Sequence, residues 1–154
     1  MDIGDDQSYG KDMGVLWAAY KAGSFALPEG WEQAEFAQRI VDYFSIFDSV
    51  FIVEDKNPAF QERGPVAVIL VTSDREVIRP DIDYFKWATV KNMLRTTVAF
   101  LQWVRYSKDV GLCVICATSK SRRMFERMRE YGIMVWHIGN GYFGLAGRKE
   151  WLQQ

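Results

Sequence analysis

One stretch of the chain carries residues that could bind a phosphate at the start of a helix. The stretch DYFKWATVKNMLRTTVAFLQW, residues 83–103, begins like a strand and continues as an amphipathic helix. Strand-to-helix junctions often bind phosphates, because the N–H groups of the first helical turn point outward. Lys86 and Lys91 would bring positive charge, and Thr89 would donate a hydrogen bond. The same residues also suit a plain surface, with Thr89 as N-cap and both lysines solvated.

The junction contains no glycine. No glycine occurs between Gly64 and Gly111. Glycine usually allows the backbone to approach a phosphate closely, because it has no Cβ in the way. The sequence therefore predicts a junction that lacks a glycine-rich cradle.

The length and charge of the chain restrict its organisation and its partners. A chain of 154 residues suits one domain, which we expect over residues 11–154, after a flexible arm at residues 1–10. The formal net charge of -1 gives no global field that would attract nucleic acid or an anionic membrane. No apolar run approaches the length of a membrane span, and no basic-then-apolar leader begins the chain. We therefore expect neither a membrane nor a nucleic acid as partner, and no export by signal peptide.

Hydrophobic periodicity predicts the element order α-α-β-β-β-α-β-α-β-β. Two helices are expected around residues 15–20 and 36–44, the first ended by Gly23. Strands follow at residues 49–55, 65–74 and 75–85, with Pro80 marking an edge or a bulge. The long helix places Val90, Met93, Leu94, Val98, Leu101 and Val104 on one stripe. A buried strand at 111–118, a basic helix at 119–132 and a hairpin turned at Asn140-Gly141 complete the order.

This order resembles the GCN5-related N-acetyltransferase (GNAT) family over roughly residues 13–147. The helix SRRMFERMREYGI, residues 121–133, is similar to the family's helix that ends in an aromatic residue followed by Gly-Phe. The segment DYFKWATVKNML resembles a Trp-Phe-Pro-Trp-Ala-(Ser/Thr)-x-(Arg/Lys)-Asn pattern of acetyltransferase-like proteins of tailed bacteriophages. The resemblance implies an α/β (α+β) fold with a mixed central sheet. Two N-terminal helices, a long central helix and a C-terminal helix plus hairpin would surround that sheet.

The family's catalytic pattern is incomplete in this sequence. Active members bind acetyl-CoA through a Gln/Arg-x-x-Gly-x-Gly/Ala loop at the start of the long helix, and KWATVKNML lacks its glycines. Active members also have an Asn that helps to hold the cofactor and a Tyr that acts as general acid. Counted back from Gly132, these two positions fall at Ser121 and Met128 in this sequence. Methionine cannot donate a proton to a leaving thiolate. These departures predict a non-catalytic adaptor or structural protein that binds no cofactor.

The alternative is an active N-acyltransferase that transfers an acetyl group from acetyl-CoA to an amine. Thr89, Lys91 and Lys86 would then hold the cofactor. The candidate general bases on the predicted strand are Asp83 and Glu76, with Asp81 beside them. A carboxylate there can take a proton from an amine within hydrogen-bond reach. Acidic residues on a water-facing strand are also ordinary surface residues, so both interpretations stand.

The adaptor interpretation needs surfaces that bind other proteins. Trp17, Trp31 and Trp151 are candidate anchors, since tryptophan buries a large area at low entropic cost. Arg123 and Arg127 lie on the basic helix, where interleaved glutamates favour a solvated or subunit-facing surface over a nucleic-acid site. The phage resemblance implies as partners other virion proteins (portal, tail or fibre) and copies of the chain itself. It implies a location in the virion, and in the host cytoplasm before assembly.

The cysteines and the single histidine support no metal site. Cys113 and Cys116 lie in the apolar run LCVIC, where a strand would point them to opposite faces. Buried free thiols are therefore expected. A zinc site would need further ligands, and His137 is the only histidine in the sequence.

Overall fold

The computed structural model describes residues 2–3, 9–55, 64–75, 77–106, 112–116, 123, 126–127, 134–139 and 142–146. The helices whose bounds are described are α1 (Tyr9–Lys21), α2 (Gln33–Ser45) and α3 (Val90–Tyr106), and residues 123, 126 and 127 are also helical. The strands are β1 (Asp2–Ile3), β2 (Ser49–Glu54), β3 (Pro65–Asp74), β4 (Val77–Tyr84), β5 (Leu112–Cys116), β6 (Met134–Gly139) and β7 (Tyr142–Ala146). This mixture of helices and strands confirms the predicted α/β class. No helix in the described ranges is both long and apolar enough to cross a membrane.

The chain divides into two compact units. The first consists of Met1–Val71 and Ile82–Met93, and the second of Thr72–Asp81 and Leu94–Gln154. Three elements, β3, β4 and α3, contribute residues to both units. The prediction of a single domain over residues 11–154 stays a prediction.

The first unit has an aromatic-rich core between two helices and an antiparallel strand pair. Strands β2 and β3 pair with Val50 opposite Leu70 and Ile52 opposite Val68. Side chains alternate along a strand, so these four share one face. They belong to one buried cluster with Leu16, Ala19, Tyr20, Phe25, Phe36, Ile40, Phe44 and Phe85. Residues 66–71 of β3 are all buried, which confirms the sequence prediction of a strand buried on both faces.

Helix α1 ends where the sequence predicts. Ser24 N donates to Ala19 O at 2.9 Å and Gly23 N donates to Tyr20 O at 3.0 Å, the pattern of a Schellman cap. Gly23 has φ 78°, a left-handed conformation that other residues adopt only with strain. The cap therefore needs glycine at this position.

The predicted flexible arm at residues 1–10 is corrected by the structure at both of its ends. Asp2 pairs with Ile52 and Ile3 with Phe51, so these two residues form a strand against β2. Helix α1 begins at Tyr9, two residues before the expected start of the domain. Pairing satisfies the backbone N–H and C=O groups of an edge strand, which explains why these residues are held.

The second unit contains a four-stranded mixed sheet in the order β4-β5-β7-β6. Strands β4 and β5 are parallel, whereas β5 with β7 and β6 with β7 are antiparallel. The β6–β7 pair is the predicted hairpin, and its expected turn at Asn140-Gly141 lies outside the described residues. Cys113 is buried and forms no disulfide. Burial raises the pKa of its thiol to about 12, as for an unreactive structural thiol.

One residue of the predicted apolar stripe of α3 is misplaced. Val90 is 69% exposed, because it stands at the first position of the helix, before the buried face begins. Four buried residues of α3 were not in the stripe, namely the apolar Phe100 and the polar Asn92, Thr96 and Thr97. A stripe drawn from apolar residues alone passes over buried polar ones, and Asn92 proves to be central to the candidate site.

Candidate functional site

The turn from β4 into α3 is held by hydrogen bonds that use its backbone N–H groups. Phe85 N donates to Val66 O at 2.8 Å, and Ala88 N donates to Phe85 O at 2.8 Å. Lys86 N donates to Ser24 Oγ at 3.1 Å. A glycine-free loop is thus fixed by protein acceptors, which leaves these three amides unable to form a cradle for a ligand.

The first turn of α3 carries a reciprocal side-chain cap. Thr89 Oγ1 accepts from Asn92 N at 3.1 Å, and Asn92 Oδ1 accepts from Thr89 N at 2.9 Å. This is the geometry of a capping box, with asparagine in the place of the usual Glu or Gln. Met93 N donates to Thr89 O at 3.0 Å and begins the helical ladder. Thr89 therefore takes the N-cap position that the sequence predicts.

A buried carboxylate lies behind this cap. Asn92 Nδ2 donates to Asp55 Oδ2 at 3.1 Å. Asp55 follows β2 and is 6% exposed, and Asn92 is 3% exposed. Thr89, Asn92 and Asp55, named here the capping network, join the end of β2 to the start of α3 within the first unit.

Trp87 is an internal support of the junction. Its Nε1 donates to Pro65 O at 3.1 Å. Its ring packs edge-on against Phe85 with centroids 5.1 Å apart. The indole thus joins the junction to the first residue of β3 and to the core of the first unit.

The three predicted cofactor ligands are each exposed to solvent. Lys86, Thr89 and Lys91 are exposed, and the two lysines flank the N-terminus of α3. A helix N-terminus attracts an anion through its dipole and its outward N–H groups. The two exposed lysines beside this capped helix end therefore offer positive charge to an anion, in place of the N–H groups of a glycine loop.

The carboxylates of β4 differ in their surroundings. Asp83, in the first unit, is half-buried. Asp81, in the second unit, keeps an exposed surface, yet the protein around its carboxyl raises its pKa above the ordinary 3.8 by desolvation. Glu76 lies outside the described residues. Asp81 and Asp83 are two positions apart in one strand, so they share a face of it.

The parallel strands β4 and β5 pair through only two residues each. Their register consists of Val77 opposite Leu112 and Ile78 opposite Cys113, although β4 and β5 both continue. Pro80 follows two positions later and has no N–H to donate to a ladder. The register between β4 and β5 thus ends ahead of Pro80, where the sequence predicts an edge or a bulge.

The predicted partner-binding residues are placed unequally. Trp17 and Trp31 each stack on Tyr20, at 5.6 and 5.5 Å between centroids. A cation lies over each ring, Lys21 on Trp17 and Arg39 on Trp31. Both indoles are therefore committed to an internal aromatic stack, and their role as anchors for a partner stays a prediction.

The remaining candidates belong to the C-terminal part of the chain. Arg123 and Arg127 are helical and exposed, and the expectation of a solvated or subunit-facing surface stays a prediction. Trp151, Ser121 and Met128 lie outside the described residues. Within the described part of the chain, no group of three or more His, Cys, Asp or Glu residues is placed to hold a metal ion.

The sequence matches no family model, and no curated protein is similar to it by sequence. Solved structures do share its fold. A chimera of the spermidine N-acetyltransferase SpeG from Vibrio cholerae and hSSAT is 13% identical, over 92% of this chain and 95% of that one, with a TM-score of 0.58. The Campylobacter jejuni N-acetyltransferase PseH in complex with acetyl coenzyme A is 8% identical, over 94% and 95%, with a TM-score of 0.57. An acetyltransferase of the GNAT family from Streptococcus pneumoniae is 11% identical, over 94% of both chains, with a TM-score of 0.55.

The chain therefore has a GNAT-like fold, as its element order predicts. The prediction that it binds no cofactor is wrong, because its structural neighbours are acetyltransferases and one of them was solved with acetyl-CoA. The predicted adaptor role fits these neighbours less well than the acyltransferase alternative does. None of the three neighbours described is a phage protein.

The sequence interpretation missed Asp55. This residue ends the stretch SVFIVED, and a carboxylate at the end of a strand reads as ordinary surface. Asn92 appeared only as one position of the phage-like pattern, with no role of its own. A signal was present in Thr89 and Asn92, since Thr-x-x-Asn before an apolar helix resembles a capping box.

Proposed function

We propose that the protein is an N-acyltransferase that transfers an acetyl group from acetyl-CoA to an amine. The observation that carries the proposal is the GNAT-like fold, matched over 92% of this chain by an acetyltransferase.

The residues of the junction would hold the cofactor at its diphosphate. Lys86 and Lys91 supply positive charge beside the positive end of the α3 dipole. Thr89 fixes the helix start through its cap. When bound, acetyl-CoA supplies an acyl group activated as a thioester.

A carboxylate of β4 would act as the general base. Asp83 is the candidate in the first unit, only two residues before the junction begins at Phe85. Its carboxylate would accept a proton from the attacking amine, which raises the nucleophilicity of the nitrogen.

The test is acetyl transfer from acetyl-CoA to a panel of polyamines, amino acids, amino sugars and peptide amines, followed by release of free thiol. We expect turnover with at least one class of amine. Asp83→Asn should lower kcat/KM by about 10²-fold or more. The control, Asp42→Asn, removes an exposed carboxylate of α2 and should leave the rate unchanged. Absence of turnover with every amine, or equal rates for Asp83→Asn and wild type, would contradict this assignment.

Association with virion proteins or with further copies of the chain remains a separate proposal. It rests on the resemblance of the junction segment and on the tryptophans and arginines named above. Co-purification with portal, tail or fibre proteins would support it. Absence of any such complex, with a monomeric mass in solution, would contradict it.

A further inference from the structure

The carboxylate of Asp55 is buried where an apolar side chain would be less costly. Asp55 is 6% exposed, at the end of a strand whose residues 50–53 are all buried. A buried charge lowers stability unless hydrogen bonds compensate for its lost hydration. One of its hydrogen bonds, from Asn92 Nδ2, connects it to the junction. The location of Asp55 therefore indicates a role for its carboxylate at the start of α3.

Asp55 determines which way the amide of Asn92 points. An ionised carboxylate only accepts hydrogen bonds, so it selects the NH₂ end of an amide. The opposite end, Oδ1, is then directed to Thr89 N, from which it accepts at 2.9 Å. If the amide were reversed, its oxygen would face the carboxylate and its NH₂ would face the N–H of Thr89. Asp55 Oδ2 and Thr89 N thus favour the same orientation of the Asn92 amide, which Asp55 reinforces from the buried side.

We propose that Asp55 is a positioning residue for the diphosphate of acetyl-CoA. The carboxylate of Asp55 orients the side-chain amide of Asn92, and that amide accepts from Thr89 N. Thr89, as N-cap, then sets the start of α3 between the exposed Lys86 and Lys91. A rigid junction binds its ligand with less loss of conformational entropy than a flexible one. The capping network uses the N–H groups of Thr89 and Asn92 itself, so its contribution is a fixed helix start and not further donors. This inference rests on the proposed function.

Charge alone would have the opposite effect on binding. A carboxylate behind the helix N-terminus repels a phosphate, so removing it would strengthen binding if repulsion dominated. Positioning predicts instead that loss of Asp55 weakens binding. The direction of the change therefore separates the two effects.

The experiment compares two ligands that differ in the diphosphate. Acetyl-CoA and S-acetyl-pantetheine share the thioester, but only acetyl-CoA carries the phosphates. Calorimetry would give the Kd of both for wild type and Asp55→Ala. We expect Asp55→Ala to weaken acetyl-CoA binding on the order of 10-fold, while S-acetyl-pantetheine binding stays within about 2-fold. Tyr20→Phe, which removes the hydroxyl that bonds Pro28 and Trp31 in the same unit, is the control and should change neither Kd.

An exchange of the two side chains tests whether their contact is what matters. The double variant Asp55→Asn with Asn92→Asp keeps one amide, one carboxylate and the net charge. It also keeps an acceptor for Thr89 N. We expect it to restore the preference for acetyl-CoA to within about 3-fold of wild type. Asp55→Ser replaces Asp55→Ala, with the same expectation, if the alanine variant does not fold.

The outcomes distinguish the inference from the proposed function. Equal weakening of both ligands by Asp55→Ala would show a general structural role and overturn the inference. Unchanged or tighter acetyl-CoA binding in that variant would overturn it too, while the proposed function would stand. If wild type itself does not bind acetyl-CoA, the proposed function fails, and the positioning role fails with it.

Discussion

At the residue scale, the junction has no glycine, and hydrogen bonds within the protein hold its backbone. The amides of Phe85, Lys86 and Ala88 bond to protein acceptors. Lys86 and Lys91 stay exposed at the helix start. The site therefore offers charge and a helix end to a ligand, on a backbone that its own hydrogen bonds make rigid.

Asp81 carries a prediction about pH. Its pKa is raised in the folded state by desolvation, so the folded protein binds this proton more tightly than the unfolded chain does. Stability is therefore lost as pH rises from the unfolded value of 3.8 through the raised folded pKa. Asp81→Asn removes this loss. We expect the variant to be more stable than wild type at pH 7, by less than about 1 kcal/mol because the side chain is exposed and screened by solvent.

Urea unfolding at several pH values would measure the effect. The stability difference between wild type and Asp81→Asn should shrink as pH falls below the raised pKa. Asp74→Asn, the same change on the exposed end of β3, serves as the control. A difference that does not depend on pH would contradict the assignment of desolvation to Asp81.

At the element scale, helix ends and strand pairing set the positions of the site. Helix α1 stops at a Schellman cap that needs Gly23. Helix α3 starts at the reciprocal cap of Thr89 and Asn92. Strand β4 leaves β5 after Ile78, ahead of Pro80. Each of these boundaries follows from the local chemistry of one or two residues.

Replacement by alanine should have opposite effects on stability at Gly14, inside α1, and at Gly23, in its C-cap. Gly23→Ala places a Cβ at φ 78° and should destabilise the protein by about 1–2 kcal/mol. Gly14→Ala lies inside the helix with no atom within 4 Å of the new Cβ. It should stabilise the protein by about 0.5–1 kcal/mol. Thermal and urea unfolding would measure both, and destabilisation by Gly14→Ala or tolerance of Gly23→Ala would contradict this account of the helix.

At the scale of the whole molecule, the sequence predicts the elements better than it predicts the site. The bounds of β3, residues 65–74, were predicted correctly, because an uninterrupted apolar run between a proline and a polar turn has one interpretation. The element order also identified the GNAT-like fold. These features depend on patterns within about ten neighbouring residues.

The candidate site depends on contacts between residues far apart in the sequence, and local sequence patterns do not reveal such contacts. Asp55 and Asn92 are 37 positions apart in sequence, and neither is unusual in its own segment. The missing glycines suggested a lost cofactor, because the expectation assumed that only a backbone loop can hold a diphosphate. We propose exposed lysines beside a capped helix as a second way to bind a diphosphate, a possibility that the glycine pattern alone does not consider.

Direct titration of the purified protein with acetyl-CoA by calorimetry tests the central claim. The account predicts saturable binding of one acetyl-CoA per chain at micromolar concentration, with S-acetyl-pantetheine bound more weakly because it lacks the diphosphate. No heat of binding at millimolar acetyl-CoA would contradict the account and would leave a GNAT-like fold used for another purpose.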